Sequence, residues 1–318
     1  MASVKKTNAE KLKEKQKTRV LIKRHWQMYL LLCLPILYLI VFHYYPMLGA
    51  QIAFKRFRTS LGIWGSPWIG FTNFVRFFQS YQFGRVVSNT VLLSLYGLFA
   101  GMPFPIIFAL LLNTVTHRFT KRTIQTVTYL PYFISTVVLV GMLFQVLDPR
   151  IGLYGKFYLM LTGSRAPDLF GRANYFPHLF TWSAVWQNMG WNSIIYLAAL
   201  SAVSPELHEA GKIDGMNRLQ RIIYIDFPAI LPTATILLIL NFGRIMSIGF
   251  EKTFLMQNNL NLARSEVIST YVYKVGLTIG GGDFSFATAI GLFNSVVNLI
   301  LIITVNKICN RMGGNSLW

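Results

Sequence analysis

The sequence predicts an all-α polytopic membrane protein with six membrane-crossing helices and both termini in the cytoplasm. Three observations carry this expectation. Of the 318 residues, 53% are hydrophobic and only 13% charged, too little charge to cover the surface of a soluble chain of this size. The apolar residues gather into six long runs, each near the ~20 residues that a bilayer core requires. The 30 Lys and Arg residues, against 11 Asp and Glu, concentrate in an N-terminal tail and short loops, the distribution that keeps such segments cytoplasmic. The formal net charge of +19 thus reflects topology and does not point to nucleic acid.

The elements follow in order. Residues 1–24 are a basic tail carrying Lys5, Lys6, Lys11, Lys13, Lys15, Lys17, Arg19, Lys23 and Arg24, an anchor for topology or, more specifically, a site for anionic membrane lipid. Residues 25–318 are expected to form one transmembrane domain. Its first run, Trp26 to Tyr45, is too long for a signal-peptide core and is expected to stay in the mature protein. Residues 46–85 are aromatic and amphipathic, with Phe71, Phe74, Val75 and Phe78 on a helical face opposite Arg76 and Gln79, which suits a short helix lying in the outer interface. Lys55, Arg56, Arg58, Arg76 and Arg85 run mildly against the charge rule on that side.

The second run, Val86 to Leu112, contains Pro103 and Pro105 and is expected to kink. A short basic turn, His117 to Arg122, leads into the third run, Ile124 to Leu147. The sequence does not assign the external loop that follows, through Arg172. The fourth run is Phe176 to Val203, the fifth Ala229 to Phe250 and the sixth Phe284 to Val305, with an external segment Glu251 to Asp283 and a basic end at Lys307 and Arg311.

Between the fourth and fifth runs lies the stretch 204–232, polar and charged on both signs. Ser204-Pro205 supplies an N-cap and a first-turn proline, and Asp214-Gly215 a turn. Leu219, Ile222, Ile223, Asp226 and Phe227 then recur on one helical face, closed by Pro228 and Pro232. The expectation is a helix–turn–helix held outside the lipid.

Within it, Glu209-Ala210-Gly211, three residues, Gly215, nine residues and Ile225-Asp226-Phe227-Pro228 keep every spacing of the EAA signature, with Gly211 in place of the second alanine and Phe227 in place of leucine. The chain therefore resembles the permease subunits of ABC importers. Ile69 to Phe74, Tyr129 to Ser135, Gly190 to Leu200, Gly249 to Glu251, Thr270 to Tyr273 and Ser316 to Trp318 look like the carbohydrate branch, in particular the subgroup that handles lipopolymer, alginate and other complex oligosaccharides.

The resemblance implies the type I importer permease fold in a bacterial cytoplasmic membrane. It implies a related but distinct second permease subunit, a separate ATPase subunit that binds ATP and Mg, and an extracytoplasmic solute-binding protein. This chain would bind no cofactor and do no chemistry. Glu209, Ala210, Gly211, Asp214 and Gly215 are the expected docking core for the ATPase, their small residues permitting close backbone approach.

For the substrate pathway, polar groups inside apolar runs are the candidates, since they are costly there. They are Asn188, Trp191, Asn192 and Tyr196 in the fourth run, Asn241 and Arg244 in the fifth, and Asn294 and Asn298 in the sixth. The bland alternative for each Asn is interhelical packing. Arg244 and Glu251 are seven residues apart on one helical face; either they pair, or Arg244 meets an acidic or hydroxyl-rich substrate. A permease for peptides, amino acids or anions uses the same docking loop and stays open, as does a gradient-driven carrier. No Walker A pattern, Cys framework or catalytic pairing is visible; Cys33, Cys309 and the five histidines (25, 43, 117, 178 and 208) are scattered.

Overall fold

The computed structural model describes residues 21, 24–278 and 282–311. Most of the basic tail and the Ser316-Leu317-Trp318 end lie outside them. The described residues are helical throughout their long elements, with one isolated antiparallel bridge, Lys55 to Trp68.

Among the described residues four helices are long and apolar enough to cross a membrane: α1 (Trp26–Phe54), a second comprising α2 (Tyr81–Gly101) and α3 (Pro103–Asn113), α8 (Arg218–Phe242) and α11 (Phe284–Arg311). A fifth arises if α4 (Arg118–Phe133) and α5 (Thr136–Val146) are one broken span. The expected fourth span, α6 (Phe176–Ser201), has 26 residues, about 39 Å at 1.5 Å per residue, but its Trp, Asn, Gln and Ser content leaves it less apolar than the others.

The remaining elements are shorter. A seven-residue helix, Thr72–Phe78, packs against α11. The helix Leu153–Thr162 follows α5, α7 (Pro205–Ile213) precedes α8, and α9 (Phe250–Met256) and α10 (Ile268–Tyr273) precede α11. α6 is the hub, packing against α2, α3, α4 and α8. Near the C-terminal end of α6, Tyr196 and Leu200 bury against Ala109 and Leu110 of α3 and Ile230 and Ala234 of α8. Toward the other end, Phe77, Val86, Tyr271, Phe286 and Ile290 form a second core.

Several boundaries differ from the sequence expectation. The third span is bent by 98° between α4 and α5. Pro131 sits in a 3-10 turn there, and Ser135, extended, accepts the Val138 N–H to start a new helix. The basic segment after α3 is not a turn: His117 is the N-cap of α4, its ring accepting from the Thr120 N–H, and Arg118 to Arg122 are helical.

Pro228 and Pro232 do not close a docking helix either. α8 runs through both, because a π turn at Ile222–Asp226 moves the hydrogen bonding to five residues back, with Phe227 N–H on Ile222 O, so the proline ring at 228 meets no straight α ladder. The fifth span instead ends at Phe242, and turns occupy residues 243–246 before α9.

On the short helix Thr72–Phe78, Phe71, Val75 and Phe78 face outward as expected. The face that packs inward belongs to Asn73 and Phe77.

Candidate functional site

A cavity of about 850 Å³ opens between α2, α3, α6, α8 and the turn after α8. Ser94, Gly97 and Gly101 of α2 keep one wall low, and Asn188, Trp191, Asn192, Tyr196, Asn241 and Arg244 all contribute to the lining. Six of the sequence-chosen pathway residues therefore meet in one place. Arg244 is the one charged residue among those lining it, and no carboxylate accompanies it.

The pathway residues differ in what they do there. Trp191 stacks on Tyr132 at 4.4 Å between ring centroids and 5° between planes, with Phe133 at its edge. The bend of the third span thus builds the platform that holds this indole. Asn188 donates to Ala184 O of its own helix at 2.8 Å, leaving its carbonyl oxygen for other partners. Tyr196 is 3% exposed and belongs to the core at the C-terminal end of α6.

Glu251, Asn294 and Asn298 do not line the cavity. Asn298 accepts the Met246 N–H at 3.0 Å and donates to Ser247 Oγ at 2.8 Å, pinning the turn that carries Arg244 to α11. The Asn294 side-chain oxygen is buried without a partner. The expected Arg244–Glu251 pair does not form among the described residues, because the helix breaks between them and the shared face never exists.

Sequence reasoning missed other contributors. Thr181 lies at the cavity wall with its Oγ1 buried and unpartnered. Gln187 donates to Ile134 O at 2.8 Å across the bend of the third span. Gly190 lets α6 cross α4: a Cβ there would lie 2.1 Å from Thr128 O.

At the far end of α6, α7 begins with the expected cap. Ser204 Oγ accepts the Glu206 N–H at 3.3 Å and Pro205 occupies the first turn. Gly215 ends α7 with φ +75°, Met216 N–H reaching Gly211 O at 2.8 Å and Gly215 N–H reaching Lys212 O at 3.1 Å, the paired bonds of a Schellman cap. Asn217 and Gln220 then form a capping box that starts α8.

Glu209, Ala210, Asp214 and Gly215 face outward, whereas Gly211 is buried. Its added Cβ would lie 3.2 Å from both Ile225 Cδ1 and Met216 Sδ, so Gly211 closes α7 onto α8. Leu207, Ile213 and Leu219 add an exposed apolar rim, Ile213 at 86%. Beneath them, Asp226 Oδ1, buried, receives His208 Nε2 at 3.3 Å and Asn113 Nδ2 at 3.3 Å. No spacing rule joins residues 113, 208 and 226, so this junction is legible only in three dimensions.

At the opposite end, three of the five cations that ran against the charge rule, Lys55, Arg76 and Arg85, are paired or covered, while Arg56 and Arg58 are exposed. Arg76 pairs with Asp283 at 2.5 Å and lies over the Phe286 ring. Arg85 and Lys274 converge on the buried Glu266. Lys55 donates to Ile63 O at 2.8 Å and stands over Trp68. Lys252 donates to Phe180 O at 3.0 Å, and burial lowers its ammonium from 10.5 to about 8. Asp148 is held below the usual carboxylate range by the N–H groups of Ile151 and Arg150.

The family profile "Binding-protein-dependent transport system inner membrane component" matches residues 101–313. Protein LplB of Bacillus subtilis (strain 168) is 39% identical over 297 residues, 93% of this chain and 92% of that protein. The polygalacturonan/rhamnogalacturonan transport system permease protein YteP of the same organism is 39% identical over 308 residues, 96% and 95% of the two chains. A crystal structure of a bacterial ABC transporter involved in import of the acidic polysaccharide alginate superposes with a TM-score of 0.85 at 36% identity, covering 93% of this chain and 99% of that one. With a family match over residues 101–313 and 39% identity to two permease relatives over nearly its whole length, the chain belongs to the binding-protein-dependent transport system inner membrane components.

Proposed function

We propose that this chain is the permease subunit of an ATP-driven importer for an acidic oligosaccharide. The observation that carries the substrate class is the cavity: amides, a stacked indole and the guanidinium of Arg244 line it, with no carboxylate among the lining residues. Arg suits carboxylate recognition through its fixed fork of donors, and aromatic faces and amides suit sugar rings. Two relatives with uronate-containing polymers in their printed names support the same reading.

In this reading α7, its Gly215 cap and the outward residues Glu209, Ala210 and Asp214 dock a separate ATPase subunit that carries ATP and Mg. The exposed Ile213 and Leu207 give that contact its apolar part. The docking side is then the cytoplasm, the membrane is the bacterial cytoplasmic membrane, and both termini lie inside. The related structure in complex with an alginate pentasaccharide-bound periplasmic protein supports a solute-binding protein as the donor of substrate. A second, related permease subunit completes the pathway. α1 supports it, since no residue of Trp26–Leu39 is buried against this chain.

The test is transport in proteoliposomes holding both permeases, the ATPase and the binding protein. Uptake of uronate oligosaccharides above neutral ones of equal length is expected. Uptake of neutral sugars alone, or of amino acids or peptides, overturns the substrate class.

A further inference from the structure

The external helix Leu153–Thr162 has no partner for most of its surface. Gly155 turns it onto the preceding turn, where an added Cβ would lie 2.5 Å from Pro149 O. The opposite face presents Leu153 at 70% exposure, Phe157 at 64%, Met160 at 84% and Leu161 at 69%. These positions, at i, i+4, i+7 and i+8, form one continuous apolar stripe. Ile151, just before the helix, is 76% exposed and extends it. Arg150, Lys156 and Arg165, all exposed, gather beside the stripe around a small cavity with Gly155 and Leu159, and Gly163 ends the helix with φ +67°.

We infer that this helix is a membrane-surface anchor, seating its apolar stripe in the leaflet opposite the docking pair and its cations among anionic lipid headgroups. Its place in the chain fits that leaflet. It lies between the end of α5 and the start of α6, at the far end of α6 from the docking pair.

An apolar face of this size needs constant cover. A solute-binding protein visits and leaves, and would bare the face between visits, whereas a bilayer surface is always present. The flanking cations supply the second signal: basic residues beside an apolar face favour anionic lipid surfaces, and the stem of Lys156 can follow the acyl boundary while its ammonium reaches the headgroups.

The test uses the full chain with Cys33 and Cys309 replaced by Ser, and one environment-sensitive fluorophore at Met160→Cys. It is placed in nanodiscs of phosphatidylcholine alone or mixed with phosphatidylglycerol. A stripe seated about 5–10 Å into the interface gives blue-shifted emission, strong quenching by lipid spin-labelled near the carbonyl end of its acyl chain, and shielding from aqueous iodide. The shielding should grow with phosphatidylglycerol, and lose that increment when Arg150, Lys156 and Arg165 become Gln. A Ser164→Cys probe, one residue past Gly163 and exposed, should remain open to iodide, which shows that shielding at position 160 is confined to the stripe. Iodide quenching at position 160 overturns the proposal. So does shielding from iodide and lipid label together, which would mean a protein covers the stripe, and so does indifference to phosphatidylglycerol.

Discussion

His208 Nε2 stands 3.3 Å from Asp226 Oδ1, joining α7 to the foot of α8. Asn113 at the end of α3 donates to the same oxygen. One carboxylate thus ties α7 and α3 to α8 side chain to side chain. Asp226→Ala removes the acceptor for both donors and should destabilise the chain by about 1–3 kcal/mol, read as a lower thermal midpoint. It should also lower transport per ATP hydrolysed, and Asp226→Asn, which keeps an acceptor oxygen, should retain more of both.

Gly215 holds φ +75° with no side chain within 4 Å of its added Cβ, so space does not limit substitution but backbone conformation does. Gly215→Val should destabilise the cap by about 1–2 kcal/mol, reshape the tip of α7 and leave membrane insertion intact. ATP hydrolysis without transport is the expected phenotype. Wild-type transport by a well-expressed variant would remove Gly215 from the docking core.

Gly190 presents the opposite case, with ordinary backbone angles and no space. Its Cβ would meet Thr128 O at 2.1 Å, and backbone cannot retreat as a flexible side chain can. Gly190→Ala should cost about 1–3 kcal/mol and misplace Trp191 against Tyr132, seen as reduced thermal stability together with weakened substrate-stimulated ATP hydrolysis.

Lys252, buried and lowered from 10.5 to about 8, makes stability depend on alkaline pH. Below pH 8 both folded and unfolded chains hold the proton. Between 8 and 10.5 the unfolded chain holds more, so folded stability rises as pH rises. Melting temperatures across that window should show the upward contribution in the native chain and lose it in Lys252→Met.

Arg244→Gln removes the charge from the cavity lining while keeping a polar side chain. Uptake of uronate oligosaccharides should fall by about tenfold or more, as expected for losing one charge-assisted hydrogen bond of ~1.5–3 kcal/mol, with neutral oligosaccharides little changed. Equal loss for both assigns Arg244 to structure alone.

The apolar runs, the start and end of α7 and the polar residues that meet in the cavity were legible in the amino-acid order. Each rests on local order: run length, a cap residue before a proline, or a glycine at a fixed distance from Glu209. Asn188, Trp191, Asn192, Tyr196, Asn241 and Arg244 were visible as polar groups in apolar surroundings, and the structure brings them to one cavity. Tertiary structure decided what depends on pairs far apart in the chain. It set the 98° bend at residues 134–135, the continuation of α8 through two prolines, the inward turn of Gly211, and the convergence of Asn113, His208 and Asp226. It also broke the fifth span at Phe242, which separated Arg244 from Glu251. The physical reason is common to all of these. Helical periodicity names neighbours within about a turn or two, whereas a buried carboxylate or a close helix crossing is fixed by which distant residues pack around it.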